Sequence, residues 1–177
     1  MKYVALLRGI NVGGKNMIKM VDLKDAFEKC GFEQVSTFIN SGNVFFSTDE
    51  KDRSVISNCV ATSLKKRFDY DLTVVIRSQK EIEEVIDAMP DEWKKENDLR
   101  CYVAFIKDGV SPEEVVKEMP VNEKVDSLKA GKYALYMSTK MEGLTKSGFT
   151  KIIGKKIFQS ITIRNINTTR KLHALMV

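Results

Sequence analysis

The sequence has little of the chemistry on which most enzymes and metalloproteins depend. It contains one histidine, His173, which lies between apolar neighbours and is expected to be a packed or surface residue rather than a base. It contains no Gly-x-Ser-x-Gly elbow, which disfavours a serine nucleophile of the hydrolase type. The sequence therefore names no reaction, and it leaves open whether the protein is an enzyme.

Cysteine is equally scarce. Cys30, Cys59 and Cys101 are odd in number and far apart, and no two are spaced like a metal knuckle or a redox pair. Three reduced thiols in or near the core are expected, as in a cytoplasmic protein. With a single histidine and no cysteine pair, we predict no metal site and no cofactor.

Long apolar runs and targeting signals are also missing. No stretch reaches the roughly 18 apolar residues of a membrane span, and the N-terminus lacks the basic and apolar regions of a secretory signal. These absences predict a cytoplasmic protein without a membrane partner. The 177 residues are 43% hydrophobic and 30% charged, which suffices for one large domain or two small ones with a buried core.

What the sequence does have is an uneven distribution of charge. The net charge is +5, but residues 124–177 carry 11 Lys and Arg residues against 2 Asp and Glu residues, a net charge of +9. Residues 1–123 carry 18 against 22, a net charge of −4. Unless it is simply a solvated face, the basic C-terminal third predicts attraction to nucleic acid, a phosphorylated ligand or an acidic part of the same protein.

The apolar pattern of the first half predicts the order strand, helix, strand, strand, helix, strand. Residues 2–7 are almost continuously apolar, which predicts a first strand buried on both faces. Further strands are expected at residues 32–39, 44–47 and 72–76. The two helices are indicated by apolar stripes at three- and four-residue spacing, namely Met20, Leu23, Phe27 and Cys30, then Ile56, Cys59, Val60, Leu64 and Phe68.

The second half repeats this order after a helical connector, in which Trp93 is expected to be a packing anchor. Strands are expected at residues 101–106, 124–128, 133–137 and 161–163. The run Ser111-Pro112-Glu113-Glu114 has the capping box of a helix start. A further helix is expected at 147–158, with Phe149, Ile152, Ile153 and Ile157 facing inward, and Asn165 can cap a last helix.

The repeated order predicts an α+β fold with tandem, pseudo-duplicated ferredoxin-like βαββαβ halves. We place the first half at residues 1–77, the connector at 78–99 and the second half, with its C-terminal helix, at 100–177. Each half is small for independent stability, so the halves are expected to pack together.

Three motifs carry a resemblance to a known family: LLRGINVGG at residues 6–14, INSGNVFF at 39–46 and TIRNINTTRKL at 162–172. Together they resemble the bacterial family known as domain of unknown function 1697, over essentially the whole chain. The resemblance implies a pair of ferredoxin-like halves and implies no activity. Two positions depart from the family pattern, because Ile166 stands where Trp is typical and Gly148 stands where a Lys is typical.

The loop after the first strand has features of an anion site. Its run from Gly9 to Lys15 has the spacing of a phosphate loop, but Asn16 stands where Ser or Thr would hold magnesium, so a nucleotide triphosphatase is not expected. Backbone N–H groups of Gly13 and Gly14 could still face an anion, with Arg8 as a forked partner. The alternative is that the glycines serve a strained loop and that Arg8 forms a structural ion pair.

Two other polar segments extend this hypothesis. Amides and a hydroxyl follow the second strand, and a basic helix start follows the last strand, where an anion would be favoured. Each segment also has a plain structural interpretation, as turn chemistry or as helix capping. We predict a site for a phosphate- or carboxylate-bearing small ligand, built from Arg8, Asn11, Gly13, Gly14, Asn40, Ser41, Asn43, Arg164, Asn165, Thr168 and Lys171.

Two other functions are kept as alternatives. A nucleic-acid-binding protein could use the basic C-terminal third and stack bases on Phe45 or Phe46 and on Tyr133 or Tyr136, although no complete RNP1-like motif is present. A non-catalytic interaction or scaffold protein would use the same motifs only to hold the fold. The sequence predicts no oligomeric state.

Overall fold

The computed structural model of the chain describes residues 1–11, 17–69, 72–94 and 98–177. The chain divides into unit 1, residues 1–80 with 176–177, and unit 2, residues 81–175. Unit 1 contains β1 (Lys2–Arg8), α1 (Met20–Glu28), β2 (Glu33–Phe38), β3 (Asn43–Ser47), α2 (Arg53–Phe68) and β4 (Thr73–Ser78). Unit 2 begins within α3 (Gln79–Asp87) and contains β5 (Leu99–Ile106), α4 (Pro112–Glu118), β6 (Asp126–Ala130), β7 (Ala134–Lys140), β8 (Ile161–Asn165) and most of α5 (Ile166–Met176).

Each unit contains one four-stranded antiparallel sheet. The strand order is β2-β3-β1-β4 in unit 1 and β6-β7-β5-β8 in unit 2. Strands that correspond in chain order occupy corresponding places in the two sheets, and every neighbouring pair is antiparallel. This is the split βαβ arrangement. The predicted α+β fold with duplicated ferredoxin-like halves is therefore confirmed, whereas the division at residues 77 and 99 stays a prediction.

The core of unit 1 lies between its sheet and its two helices. One face of β1 contributes Tyr3, Ala5 and Leu7 to a cluster that includes residues of α1 and α2. Val4 and Leu6, on the other face of the strand, are fully buried as well. Alternate residues of a strand point to opposite faces, so β1 is buried on both faces, as its continuous apolar run predicts.

The predicted start of α4 is confirmed atom by atom. The Ser111 hydroxyl accepts a hydrogen bond from the N–H of Glu114 at 3.1 Å. The Glu114 carboxylate accepts one from the N–H of Ser111 at 3.0 Å. Pro112 occupies the first helical position, where its missing N–H removes no helical hydrogen bond. This capping box satisfies two donors that the first turn would otherwise leave without partners.

The predicted helix at residues 147–158 is wrong. The segment after β7 consists of three short 3₁₀ helices, Met141–Lys146, Phe149–Gly154 and Lys156–Ser160. Two glycines interrupt the segment, and each costs about 1 kcal/mol in a helix interior relative to alanine. The N–H of Gly148 donates to the Asp126 carboxylate at 2.8 Å.

The inward stripe predicted for this segment is correct only in part. Phe149 and Ile152 are buried in the core of unit 2, with residues of α4, β5 and β7. The predicted stripe places Ile153 inward, but 70% of its surface is exposed. The 3₁₀ geometry explains the difference, because its three-residue turn does not keep neighbouring positions on the face that an α-helix would bury.

The predicted role of Trp93 is confirmed. This side chain belongs to the 3₁₀ helix Asp91–Lys94, is buried, and meets the ring of Tyr136 edge-on with 5.9 Å between ring centroids. The Tyr136 hydroxyl donates to the carbonyl of Val85 in α3 at 2.8 Å. Trp93 and α3 therefore pack against the face of the unit 2 sheet that lies opposite α4.

Candidate functional site

Polar residues of unit 1 gather where β1 ends. The N–H of Leu7 donates to the carbonyl of Gly42 at 2.8 Å, which draws the turn between β2 and β3 against the last residues of β1. Arg8 is the next residue along the strand. We call Arg8, Asn11, Asn40, Ser41 and Asn43 the β1-end cluster; the structure brings these five predicted site residues to one end of the sheet.

Asn11 joins the two loops of this cluster. Its Nδ2 donates to the carbonyls of Asn40 at 2.9 Å and of Ile18 at 3.0 Å. Its Oδ1 accepts a hydrogen bond from the N–H of Ile18 at 2.7 Å. Both the nitrogen and the oxygen of the amide are thus hydrogen-bonded to backbone groups, so the side chain of Asn11 holds the two loops together.

Asn43 is engaged in a similar way. Its side chain is fully buried, and its Nδ2 donates to the carbonyl of Phe38 at 3.0 Å and to the hydroxyl of Ser41 at 3.2 Å. These contacts close the turn from within. By contrast, Asn40 is exposed and Ser41 is half-buried.

The loops that carry the β1-end cluster contain several residues with a left-handed backbone. Gly9, Asn11, Ile39 and Gly42 have φ values between +50° and +78°. A Cβ atom on Gly42 would lie 2.8 Å from the Cβ of Leu7, so glycine is required there. Ile39 is β-branched, for which a positive φ is a strained conformation, and strain of this kind is typical of functional sites.

Arg8 places a positive charge in this setting. Its side chain is half-buried, and burial lowers the pKa of the guanidinium from its ordinary value. By the alternation of β1, Arg8 projects from the face opposite to Leu7 and the helices. Gly13 and Gly14, which the sequence assigns to the same site, lie outside the described residues, as do Lys15 and Asn16.

Arg164 lies on β8 in unit 2 and is buried. Its Nη1 donates to the hydroxyl of Thr162 at 2.8 Å and to the carbonyl of Ile163 at 3.0 Å. Burial lowers the pKa of its guanidinium to about 10. These contacts hold the guanidinium along its own strand.

The remaining predicted residues surround the start of α5. The Oδ1 of Asn165 accepts a hydrogen bond from the N–H of Thr168 at 2.7 Å, so the predicted cap is confirmed. The hydroxyl of Thr169 donates to the carbonyl of Asn165 at 3.0 Å. Thr168 is half-buried and Lys171 is exposed. The steps from 165 to 168 and 171 keep these side chains near one another on the helix.

Two of the four aromatic side chains proposed for base stacking are not available. Phe46 is buried in the core of unit 1 and stacks on Phe32 with 4.6 Å between ring centroids. Tyr136 is buried in unit 2, where burial raises its pKa to about 12. Phe45 and Tyr133 are half-buried. The expectation that Phe46 or Tyr136 could receive a base is wrong, because both strands turn these residues inward.

A family model for a protein of unknown function, DUF1697, matches residues 1–136. The chain belongs to the DUF1697 family. The match includes the β1-end cluster, whereas the third motif, at residues 162–172, lies beyond it. No curated protein matches the sequence.

One solved structure extends the comparison to 99% of the DUF1697 chain. The conserved bacterial protein SP0830 from Streptococcus pneumoniae is 25% identical, and the alignment covers 99% of this chain and 98% of that chain with a TM-score of 0.87. The first two RRM domains of the yeast poly(U)-binding protein Pub1 are 12% identical over 94% of this chain and 99% of that chain. Their TM-score of 0.27 is too low to indicate a common fold.

The structure corrects the cysteine prediction for this DUF1697 protein. Cys30 and Cys59 form a disulfide, with 6.0 Å between their Cα atoms, so the expectation of three reduced thiols is wrong. Cys101 is free and buried, as expected. The signal that could have found the pair is the apolar stripe itself, since both cysteines lie on the inward stripes of consecutive helices in one predicted half.

Two other kinds of site are absent from the described residues. In those residues, no group of three or more His, Cys, Asp or Glu side chains is arranged to hold a metal ion. No helix among them is both long enough and apolar enough to cross a membrane.

Proposed function

We propose that the β1-end cluster of this DUF1697 protein binds a small ligand through a phosphate or carboxylate group. The observation that carries the proposal is a half-buried arginine, Arg8, next to strained polar loops at the end of a buried strand. An arginine fork binds both oxygens of such an anion, and partial burial strengthens the attraction because water screens it less.

The roles within the cluster differ. Arg8 supplies the positive charge, and the exposed side chain of Asn40 and the hydroxyl of Ser41 supply hydrogen bonds to the ligand. Asn11 and Asn43 are positioning residues, because the backbone and Ser41 already engage their amides. We retain Gly13 and Gly14 in the proposal as residues whose backbone N–H groups donate to the anion.

The experiment is a thermal-shift screen followed by calorimetry. The probes are inorganic phosphate, AMP, glucose 6-phosphate and citrate. They carry a phosphate or a carboxylate group and differ in the rest of the molecule. A ligand present at one hundred times its Kd stabilises the folded protein by about 2.7 kcal/mol. At least one probe is expected to raise the melting temperature of the wild-type protein.

Three arginine variants distinguish binding from folding. Arg8→Met keeps the apolar stem and is expected to abolish the shift, whereas Arg8→Lys keeps the charge but loses the fork, so binding weakens about tenfold. Arg53→Met is the matched control, since Arg53 is a half-buried arginine of the same unit at the start of α2. Full binding by Arg8→Met, or the absence of any shift in the wild-type protein, would contradict the proposal.

The start of α5 remains in the proposal as a second element. The positive end of a helix dipole, Lys171 and Arg164 favour an anion there. As an anion site of unit 2 in its own right, this segment predicts that Arg164→Lys weakens binding of at least one of the same probes. If Arg164→Lys affects none of them, that part of the proposal fails.

Nucleic-acid binding is the second candidate, and one observation favours it. Residues 150–156, apart from the buried Ile152, form an exposed basic segment in which Lys151, Lys155 and Lys156 flank the exposed side chain of Ile153. Affinity for a mixed-sequence RNA should then fall by orders of magnitude between about 50 and 200 mM salt. No binding at the lower salt concentration would eliminate this candidate.

A further inference from the structure

A groove on the surface of unit 1 lies between the end of α1 and the middle of α2. Its volume is about 730 Å³, within the range of about 300–1,000 Å³ that is typical of small-molecule clefts. The residues that line it include Lys29, Cys30, Asn58, Cys59, Lys66 and Arg67. None of its lining residues belongs to the β1-end cluster, so a role for this groove does not depend on the proposed function.

The disulfide between Cys30 and Cys59 forms part of the groove wall. Both residues are half-buried: they pack against the core of unit 1 on one side and line the groove on the other. Exchange with an outside thiol requires that a thiolate reach one sulfur of the bond. The groove offers that access, in contrast to the buried Cys101 of unit 2.

The groove is also positively charged. Its described lining contains three cationic side chains, Lys29, Lys66 and Arg67, and no carboxylate. Two carboxylates lie beside it: Asp22 binds Arg67 at 2.7 Å, and Asp25 binds both Lys29, at 3.0 Å, and Arg67. The two carboxylates neutralise two of the three cationic side chains, so the groove keeps an excess positive charge. Lys66, in the last turn of α2, contributes this charge.

We propose that this groove is a thiol–disulfide exchange site for a small anionic thiol, one that carries at least one carboxylate. The excess charge attracts the carboxylate and brings the thiol to the bond between Cys30 and Cys59. Asn58 offers an amide for hydrogen bonding beside the same bond. A neutral or cationic thiol lacks this attraction and reacts more slowly.

The first step exchanges one disulfide for another. The thiolate of the small molecule attacks the Sγ atom of one cysteine and forms a new S–S bond with it. The bond between Cys30 and Cys59 breaks, and its electron pair leaves on the other sulfur as a thiolate, which the cations stabilise or which takes a proton from water. The product is a mixed disulfide in which the small molecule occupies the groove.

The second step uses another equivalent of the same thiol. Its thiolate attacks the small-molecule sulfur of the mixed disulfide, and the remaining protein sulfur leaves as a thiolate. Two thiols have then been oxidised to one small-molecule disulfide, and the protein disulfide has been reduced to two thiols. The reverse sequence, starting from the small-molecule disulfide, restores the bond between Cys30 and Cys59.

The test compares three thiols that differ in charge. Glutathione is anionic, 2-mercaptoethanol is neutral and cysteamine is cationic. The rate at which each thiol reduces the bond between Cys30 and Cys59 is divided by its thiolate concentration. It is then divided by the rate at which the same thiol reduces a small neutral disulfide. Glutathione is expected to react about tenfold faster than cysteamine, with a ratio that falls as salt is added. A ratio near one at low salt would overturn the proposal.

A pair of lysine variants tests the source of the preference. Lys66→Gln removes a cation from the groove, while Lys51→Gln removes an exposed lysine elsewhere in unit 1. The preference for glutathione is expected to fall severalfold in Lys66→Gln and to stay unchanged in Lys51→Gln. Equal effects of the two variants would show that net charge alone is responsible and would overturn the proposal.

Single cysteine variants test the covalent step without relying on the intact bond. Cys30→Ser leaves Cys59 in the groove, and Cys59→Ser leaves Cys30 there. With glutathione disulfide, at least one of these variants is expected to gain one glutathione by mass at the retained groove cysteine, which peptide mapping locates. Modification at Cys101 alone, or at no cysteine, would overturn the proposal even if both variants are less stable than the wild-type protein.

Discussion

The residue type at position 148 is restricted to glycine by the backbone atoms that surround it. Its φ of −69° and ψ of −30° are available to any residue. A Cβ atom there would lie 2.8 Å from the carbonyl oxygen of Pro120 and 2.9 Å from the nitrogen of Asn122. These are backbone atoms, which cannot move aside cheaply. The lysine that the family resemblance leads one to expect at this position does not fit against residues 120–122 of this chain.

The Gly148→Ala substitution is therefore expected to destabilise the protein by about 1–3 kcal/mol, the usual cost of overpacking. Gly154→Ala is the matched control, because nothing lies within 4 Å of its Cβ position in the same 3₁₀ segment. Urea denaturation of both variants measures the difference. A Gly148→Ala protein as stable as Gly154→Ala would mean that the loop at 120–122 yields to the added methyl group.

The sequence predicts which residues form the candidate site, but it does not predict which contacts each of them makes. The polar loops at Asn11 and Asn43 are visible in the sequence because amides and glycines follow apolar strands. Which atoms those amides contact is decided by other segments, since Asn11 binds the backbone of Asn40 and Ile18. The sequence therefore indicates where the polar residues gather, whereas the hydrogen-bond partners of their amides are decided by the folded loops.

Among the elements, the start of β6 is joined to its neighbours by one buried carboxylate. Asp126 accepts hydrogen bonds from the N–H groups of Asn122 and Gly148 and from the hydroxyl of Thr139. Burial raises the pKa of Asp126, but these hydrogen bonds outweigh it and leave the pKa below its ordinary value. The carboxylate thereby ties β6 to β7 and to the 3₁₀ segment.

Asp126→Asn is expected to cost about 1–3 kcal/mol. Both N–H groups donate to one carboxylate oxygen, which the amide oxygen can replace, but the amide NH2 cannot accept from the Thr139 hydroxyl and the charge that strengthens all three hydrogen bonds is lost. A folded pKa below the unfolded one adds stability above the unfolded pKa, which is lost as pH falls through the folded value. Chemical denaturation from neutral pH to about pH 3 should show a smaller acid loss in the variant. The control Glu123→Gln, at an exposed neighbour, should keep the wild-type profile; identical profiles for all three proteins would contradict the argument.

For the whole molecule, the disulfide lies in only one of the two duplicated units. It joins Cys30 to Cys59 across 29 residues of unit 1, whereas Cys101 of unit 2 has no disulfide. A cross-link of this length stabilises a fold by about 2–4 kcal/mol, chiefly by restricting the unfolded chain. The two units are therefore expected to respond differently to a reductant.

Reduction is expected to lower hydrogen-exchange protection first in β1–β4 and in the two helices of unit 1, while amides of β5–β8 keep theirs. Exchange detected by mass spectrometry, with and without a strong neutral reductant, measures this directly. Cys101→Ser serves as the control and should show the same response as the wild-type protein. An equal loss of protection in both units would show that the disulfide stabilises the molecule as a whole.

The sequence by itself determined the duplicated order of the strands along the chain, the caps of α4 and α5 and the two-sided burial of β1. These features depend on apolar periodicity and on side chains that bond to nearby backbone, both of which are local. Tertiary structure alone decided the 3₁₀ segment, where Gly148 meets Pro120 and Asp126. It also closed the disulfide, where the turn after α1 meets α2. It also turned Phe46 and Tyr136 inward. These features required contacts between residues distant in the chain, and such contacts exist only once the strands have paired.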